Sequence, residues 1–157
     1  MCICLGASAQ RNSGRLSLGA GLLYKNGAEM TLAYEHEMNY RHIWEFFANG
    51  YLQWSDCRTC GHICPESFWK NYRTWGIGAA YKPCVIRGRN HYGSLRLGAS
   101  GGSDTEKFVA GIHLGYEHSY VLRSGWTFYW QVKNDVIIRG ADLFRTGVAL
   151  GIKLPIK

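Results

Sequence analysis

The chain has 157 residues, 14% of them aromatic, with twenty Gly, three Pro and a net charge of +7. That is one domain's worth of chain, and a composition suited to many strands joined by turns. No apolar run approaches the roughly 18 residues of a spanning helix, and the Lys and Arg are scattered with no basic cluster interleaved with aromatics, so neither a helical membrane anchor nor direct nucleic-acid binding is expected.

Read in chain order, nearly every segment splits into two interleaved rows, as strands do. Leu16, Leu18, Ala20 and Leu22 alternate with Arg15, Ser17, Gly19 and Gly21; Met30, Leu32 and Tyr34 alternate with Glu29, Thr31, Ala33 and Glu35. A third strand sets Trp44, Phe46, Ala48, Leu52 and Trp54 against Glu45, Asn49, Tyr51 and Gln53, and a fourth sets Trp75, Ile77, Ala79 and Tyr81 against Thr74, Gly76, Gly78 and Ala80. The fifth has Leu95, Leu97 and Ala99 against Ser94, Arg96, Gly98 and Ser100; the sixth has Phe108, Ala110, Ile112, Leu114 and Tyr116 against Gly111, His113, Gly115 and Glu117. Trp126, Phe128, Trp130 and Val132 oppose Thr127, Tyr129, Gln131 and Lys133 in the seventh. In the last, Phe144, Thr146, Val148, Leu150 and Ile152 oppose Arg145, Gly147, Ala149, Gly151 and Lys153. About eight strands of roughly nine to eleven residues, with almost no helical periodicity, predict a single antiparallel up-and-down β-barrel.

Two barrels fit this alternation: a soluble, lipocalin-like one with the apolar row inside, and a membrane barrel with that row against lipid. The second row decides. It is rich in Gly and Ala with single charges of both signs, whereas solvent-facing rows favour Thr, Lys and Glu. Small residues and paired charges suit the narrow lumen of an eight-stranded barrel. The apolar row ends in aromatics (Tyr24, Trp44, Trp54, Trp75, Tyr81, Tyr116, Trp126), as interfacial girdles do. The expectation is an outer-membrane barrel whose side-chain-filled lumen holds an ion-pair network of Glu35, Glu45, Arg96, Glu117, Lys133 and Arg145.

Residues 1–9 contain the small-x-small pattern Ala7-Ser8-Ala9 and read as the remnant of a truncated signal peptide, leaving 10–157 as the barrel domain. With the N-terminus in the periplasm, the external connections would be 25–28, 55–72, 101–107 and 134–143, and the periplasmic ones 38–42, 82–91 and 119–124. The longest then falls outside.

Cys57, Cys60, His62 and Cys64 cluster in the longest connection. Their spacing suits tetrahedral zinc, while in an oxidising compartment it suits a disulfide; both readings stay open. No cofactor is implied. Gly-x-Ser-x-Gly, His-Glu-x-x-His and phosphate-binding loops are absent, and His36, His42, His91, His113 and His118 are spread along the chain with no obvious nucleophile, so no enzyme is expected.

The run GIGAAYKPCVIRGRNHYGSLRLGASGGSDTEKF, the pieces KPCVIRGRN and ADLFRTG, and the upstream YEHEMNYRHIWEFF together resemble the TraO family of conjugal transfer proteins of Bacteroides-type conjugative transposons. The resemblance spans roughly residues 15 to 157. It implies an exported component of a conjugative apparatus and carries over no catalytic or ligand residues. A barrel of this size is too narrow for DNA, so the implied role is anchoring or surface contact in the outer-membrane lipid, with other transfer proteins as partners. Phe68, Trp69, Lys70 and Arg73 on the external side, or Arg87, Arg89 and Arg123 on the periplasmic side, are the candidate contacts. The competing reading is a stand-alone small barrel: an adhesin, a protective surface protein or a small-ligand binder.

Overall fold

The computed structural model describes residues 14–24, 26–54, 73–104, 106–140 and 143–156. The Cys57–Cys64 cluster, residues 1–9 and the candidate contacts Phe68, Trp69 and Lys70 lie outside the described residues.

Nine strand segments make eight staves. These are β1 (Gly14–Leu23), β2 (Gly27–Glu37), β3 (Ile43–Gln53), β4 (Arg73–Lys82), β5 (Cys84–Arg87), β6 (His91–Ser103), β7 (Phe108–Val121), β8 (Thr127–Ile138) and β9 (Phe144–Ile156). Each stave pairs antiparallel with the next along the chain, and β1 pairs β9 from Gly14↔Ile156 to Leu23↔Gly147, which closes the sheet. β4 and β5 are one stave interrupted at Pro83, since both pair with β6. Proline has no N–H to give the ladder, but its carbonyl still accepts from Leu95 N–H at 3.1 Å. Closure leaves no free sheet edge, the condition for putting β-structure into lipid.

The eight staves run ten residues or more, counting β4 and β5 together. At about 3.3 Å per residue and a tilt near 40°, eleven residues rise roughly 28 Å, matching the apolar band of a bilayer. The outer wall is apolar: Leu18, Leu32, Leu97, Ile112, Leu114, Val132, Val148 and Leu150 are all exposed along it. Exposed aromatics ring both ends, Tyr24, Trp75, Phe108 and Phe144 at one and Tyr34, Trp44, Tyr120 and Trp126 at the other. The polar row is buried inside, so the apolar face points outward and the lipocalin-like alternative is excluded.

The strands reach further than the alternation suggests. β4 includes Lys82 and β8 runs to Ile138, so the connections between them shorten to 88–90 and 139–143. Lys82 before Pro83 looks like a turn residue, and Asn134-Asp135 looks like a loop opening. Both charges are instead strand residues pointing into a lumen that supplies partners.

The ends are here named the terminal rim, with the two termini and connections 38–42, 88–90 and 122–126, and the far rim, with connections 24–26, 54–72, 104–107 and 139–143.

Candidate functional site in the barrel lumen

Lumen-facing charges fill the lower part of the barrel, the half nearer the terminal rim. Glu35 of β2, Glu45 of β3 and Glu117 of β7 converge so closely that one carboxylate oxygen from each lies within 4.8 Å of the others. Two lysines hold them. Lys82 Nζ donates to Glu35 Oε1 at 2.6 Å and Glu117 Oε2 at 2.7 Å and is ion-paired with Glu45; Lys153 Nζ donates to Glu35 Oε1 at 2.8 Å and to Glu117. Arg96 completes the layer on Glu45, with Nη2 to Oε1 at 2.7 Å and its guanidinium 4.4 Å from the Phe47 ring centroid. Three cations therefore face three carboxylates with almost no exposure, which is the condition for keeping buried charge at all. Nearer the terminal rim, Arg15 donates to Tyr92 Oη at 2.9 Å and pairs with Glu37.

Above this plug, Lys133 Nζ bridges Glu29 at 2.5 Å and Asp135 Oδ2 at 2.7 Å. Glu29 Oε2 and Gln131 Nε2, without partners among the described residues, line an enclosed space of about 20 Å³. That is room for one water. Arg145 sits higher, donating to Thr74 Oγ1 at 2.9 Å with its guanidinium 3.8 Å from the Tyr51 ring centroid.

Of the charges singled out from the sequence, Glu35, Glu45, Arg96 and Glu117 meet in one layer, Lys133 joins a second, and Arg145 lies nearer the far rim against Thr74 and Tyr51. Sequence reasoning missed Glu29, Lys82, Lys153 and Asp135 as network members. The signal for Lys153 was present, since it shares a row with Arg145. Lys82 and Asp135 were hidden by turn-like neighbours.

Sequence reasoning also missed a contact across three strands. Ser100 Oγ of β6 lies 2.7 Å from His113 Nε2 of β7, and His113 Nδ1 lies 2.9 Å from Asp135 Oδ1 of β8. The first is a hydrogen bond; the second is at ion-pair distance but out of line for a hydrogen bond. A serine hydroxyl thus stands beside His113, where the sequence offered no obvious neighbour. The pairing was unreadable from spacing, because Ser100 opposes Gly111 and reaches His113 only on the diagonal.

The six cations and six carboxylates of the described lumen balance, so the chain's excess positive charge lies elsewhere. The terminal rim carries Arg41, Arg87, Arg89 and Arg123 on short connections and strand ends.

Among known proteins, the sequence matches no family model and no curated protein. Solved structures do match the fold. The Yersinia pestis outer membrane protein Ail is 11% identical with a TM-score of 0.61, over 92% of this chain and 99% of that one. A major outer membrane protein from Thermus thermophilus is 12% identical with a TM-score of 0.53, over 92% and 98%. Neisserial surface protein A, NspA, is 12% identical with a TM-score of 0.53, over 90% and 94%. The chain is an eight-stave barrel of outer-membrane type. Its closed ladder, apolar wall and aromatic rings together place it in the outer membrane.

Proposed function

We propose that the protein is a sealed outer-membrane anchor and surface-contact element of a conjugative DNA-transfer apparatus. The observation that carries the first half is the plug: Lys82 and Lys153, 1% and 0% exposed, tie Glu35, Glu45 and Glu117 across the lumen. A conducting pore needs a hydrated path, and the enclosed space beside Glu29 and Gln131, about 20 Å³, holds about one water. With no channel to offer, the barrel acts through its rims. The resemblance of KPCVIRGRN and ADLFRTG to TraO proteins supports the conjugative setting. In the periplasm-first topology the terminal rim faces inward, presenting Arg41, Arg87, Arg89 and Arg123 to acidic partners of the apparatus.

Mating frequency of a donor deleted for this gene is the test, with complementation by wild type and by a variant carrying Ala at Arg87, Arg89 and Arg123. Loss of mating on deletion, and failure of the rim variant to restore it, support the proposal. Unchanged mating on deletion refutes it and leaves the stand-alone surface barrel.

A further inference from the structure

We propose that Ser100, His113 and Asp135 form a nucleophilic triad that cleaves short-chain acyl esters entering the lumen from the far rim. The roles follow from the atoms. With the ring proton on Nδ1, the nitrogen that faces Asp135 Oδ1 at 2.9 Å, His113 Nε2 accepts from Ser100 Oγ–H at 2.7 Å. That is the order nucleophile, base and orienting carboxylate needed to draw a proton from a hydroxyl. Unbound sites often hold such contacts loosely aligned, as the second one is here.

The surroundings are built around the pair. Asp135 is fixed by Lys133 at 2.7 Å on its other oxygen. The His113 ring stands at 85° to Phe47 with centroids 5.0 Å apart. Position 111, directly opposite Ser100, is glycine; a Cβ there would lie 2.9 Å from Ser100 Oγ and 3.2 Å from His113 Nε2. A side chain there would press on both members of the serine–histidine contact, and the bare backbone leaves them room.

Access is one-sided. His113 and Asp135 are 1% exposed, while Ser100 is only partly buried. Ser100 lines a cleft of about 20 Å³ with Gly76, Gly102 and Gly111, which put no side chain in the way, and with the polar side chains of Asn49 and Arg145. Below lies the plug. A cleft of that size seats little more than the reacting carbonyl, with the rest of the substrate on the open side, which favours small acyl groups.

The chemistry balances with water as co-reactant. Ser100 Oγ attacks the ester carbonyl carbon as its proton passes to His113 Nε2. The carbon–alkoxy bond breaks, and that proton leaves with the alcohol. Water, deprotonated by His113, then attacks the acyl-Ser100 ester, and the proton returns to Oγ as the carboxylic acid departs.

The test uses the full chain folded in detergent micelles, with folding read by the gel shift between unboiled and boiled samples. The probes are a fluorophosphonate, whose phosphorus bonds to Oγ with loss of fluoride, and p-nitrophenyl acetate. The expected result is an adduct on the peptide containing Ser100 and release of p-nitrophenolate, both lost in Ser100→Ala. Asp135→Asn, nearly isosteric, should slow acylation at least about 100-fold while keeping the gel shift, a separation that a purely structural hydrogen bond would not give. Gly111→Ala should slow it at least about tenfold by parting the pair. Folded wild-type protein that takes no adduct at Ser100 overturns the proposal. So does a folded Asp135→Asn protein that labels at the wild-type rate.

Discussion

Replacing Lys82 by methionine tests whether the plug is held by charge balance. Lys82 is 1% exposed and touches all three carboxylates of the lower layer. In Lys82→Met, Glu35 and Glu117 keep Lys153 and Glu45 keeps Arg96, so two cations remain for three carboxylates. Carboxylate oxygens within 4.8 Å repel by about 3 kcal/mol per pair at an effective dielectric near 20. Removing one partner of a buried pair costs roughly 3–5 kcal/mol in general. Because each carboxylate keeps a cation, the expected loss is near the lower figure, about 3 kcal/mol. Urea unfolding in lipid vesicles, followed by tryptophan fluorescence, measures it. The discriminating arm is Lys82→Met with Glu117→Gln, which restores balance and should recover about 2 kcal/mol despite removing a second charged group. A single variant within about 1 kcal/mol of wild type would refute the reasoning. So would a double variant no more stable than the single.

Other expectations bear on the wall, the thiol, the topology and one loop. Leu150→Arg, at an exposed mid-wall position, should cost about 2–4 kcal/mol in the same unfolding assay, as charge facing the bilayer midplane does. Cys84 is a buried free thiol whose Sγ donates to Ile86 O at 3.3 Å, so a membrane-impermeant maleimide should label it only after unfolding in urea. Trypsin added to intact cells should cut at Lys70 or Arg73; protection there, with cleavage at Arg87 in the same cells, would invert the proposed topology. Asp104 accepts from the backbone N–H groups of Lys107 at 2.8 Å and Glu106 at 3.1 Å, which holds its carboxyl below the ordinary aspartate value. Its turn is therefore stabilised above the ordinary value and loosens as pH falls through the lowered one. NMR titration of the Glu106 and Lys107 amides should show a midpoint below that of an unstructured aspartate.

Much of the fold was legible because a barrel writes its two faces into alternate residues. Leu18 against Gly19, or Leu150 against Gly151, says which side meets lipid, since only a crowded lumen prefers glycine to threonine. The row also shows which charges point inward, Glu35 and Glu117 among them. It does not show where a stave stops. Lys82 and Asp135 sit in turn-like contexts, and only the partners waiting across the lumen make a buried charge tolerable there. Nor does it show contacts between staves. Ser100 and His113 are thirteen residues apart on one hairpin, and their meeting depends on register and on the missing side chain at Gly111. Such a constellation has no linear motif.

The lumen thus holds two polar assemblies with different demands, meeting at Phe47, which carries Arg96 over its ring and stands edge-on to His113. The lower one is closed, with each of its carboxylates held by lysine or arginine, and its work is to hold staves together. The upper one keeps a hydroxyl partly exposed under a roof of glycines, an arrangement with no stabilising merit of its own. Their perturbations should therefore separate. Lys82→Met should lower the urea midpoint and leave acylation of Ser100 in the folded fraction within about twofold, since Lys82 touches none of Ser100, His113 and Asp135. Ser100→Ala should abolish acylation and move the unfolding free energy by no more than about 1 kcal/mol, the net worth of one hydrogen bond. A Ser100→Ala protein that loses several kcal/mol would show the Ser100–His113 contact to be a structural tie. The serine would then belong to the plug.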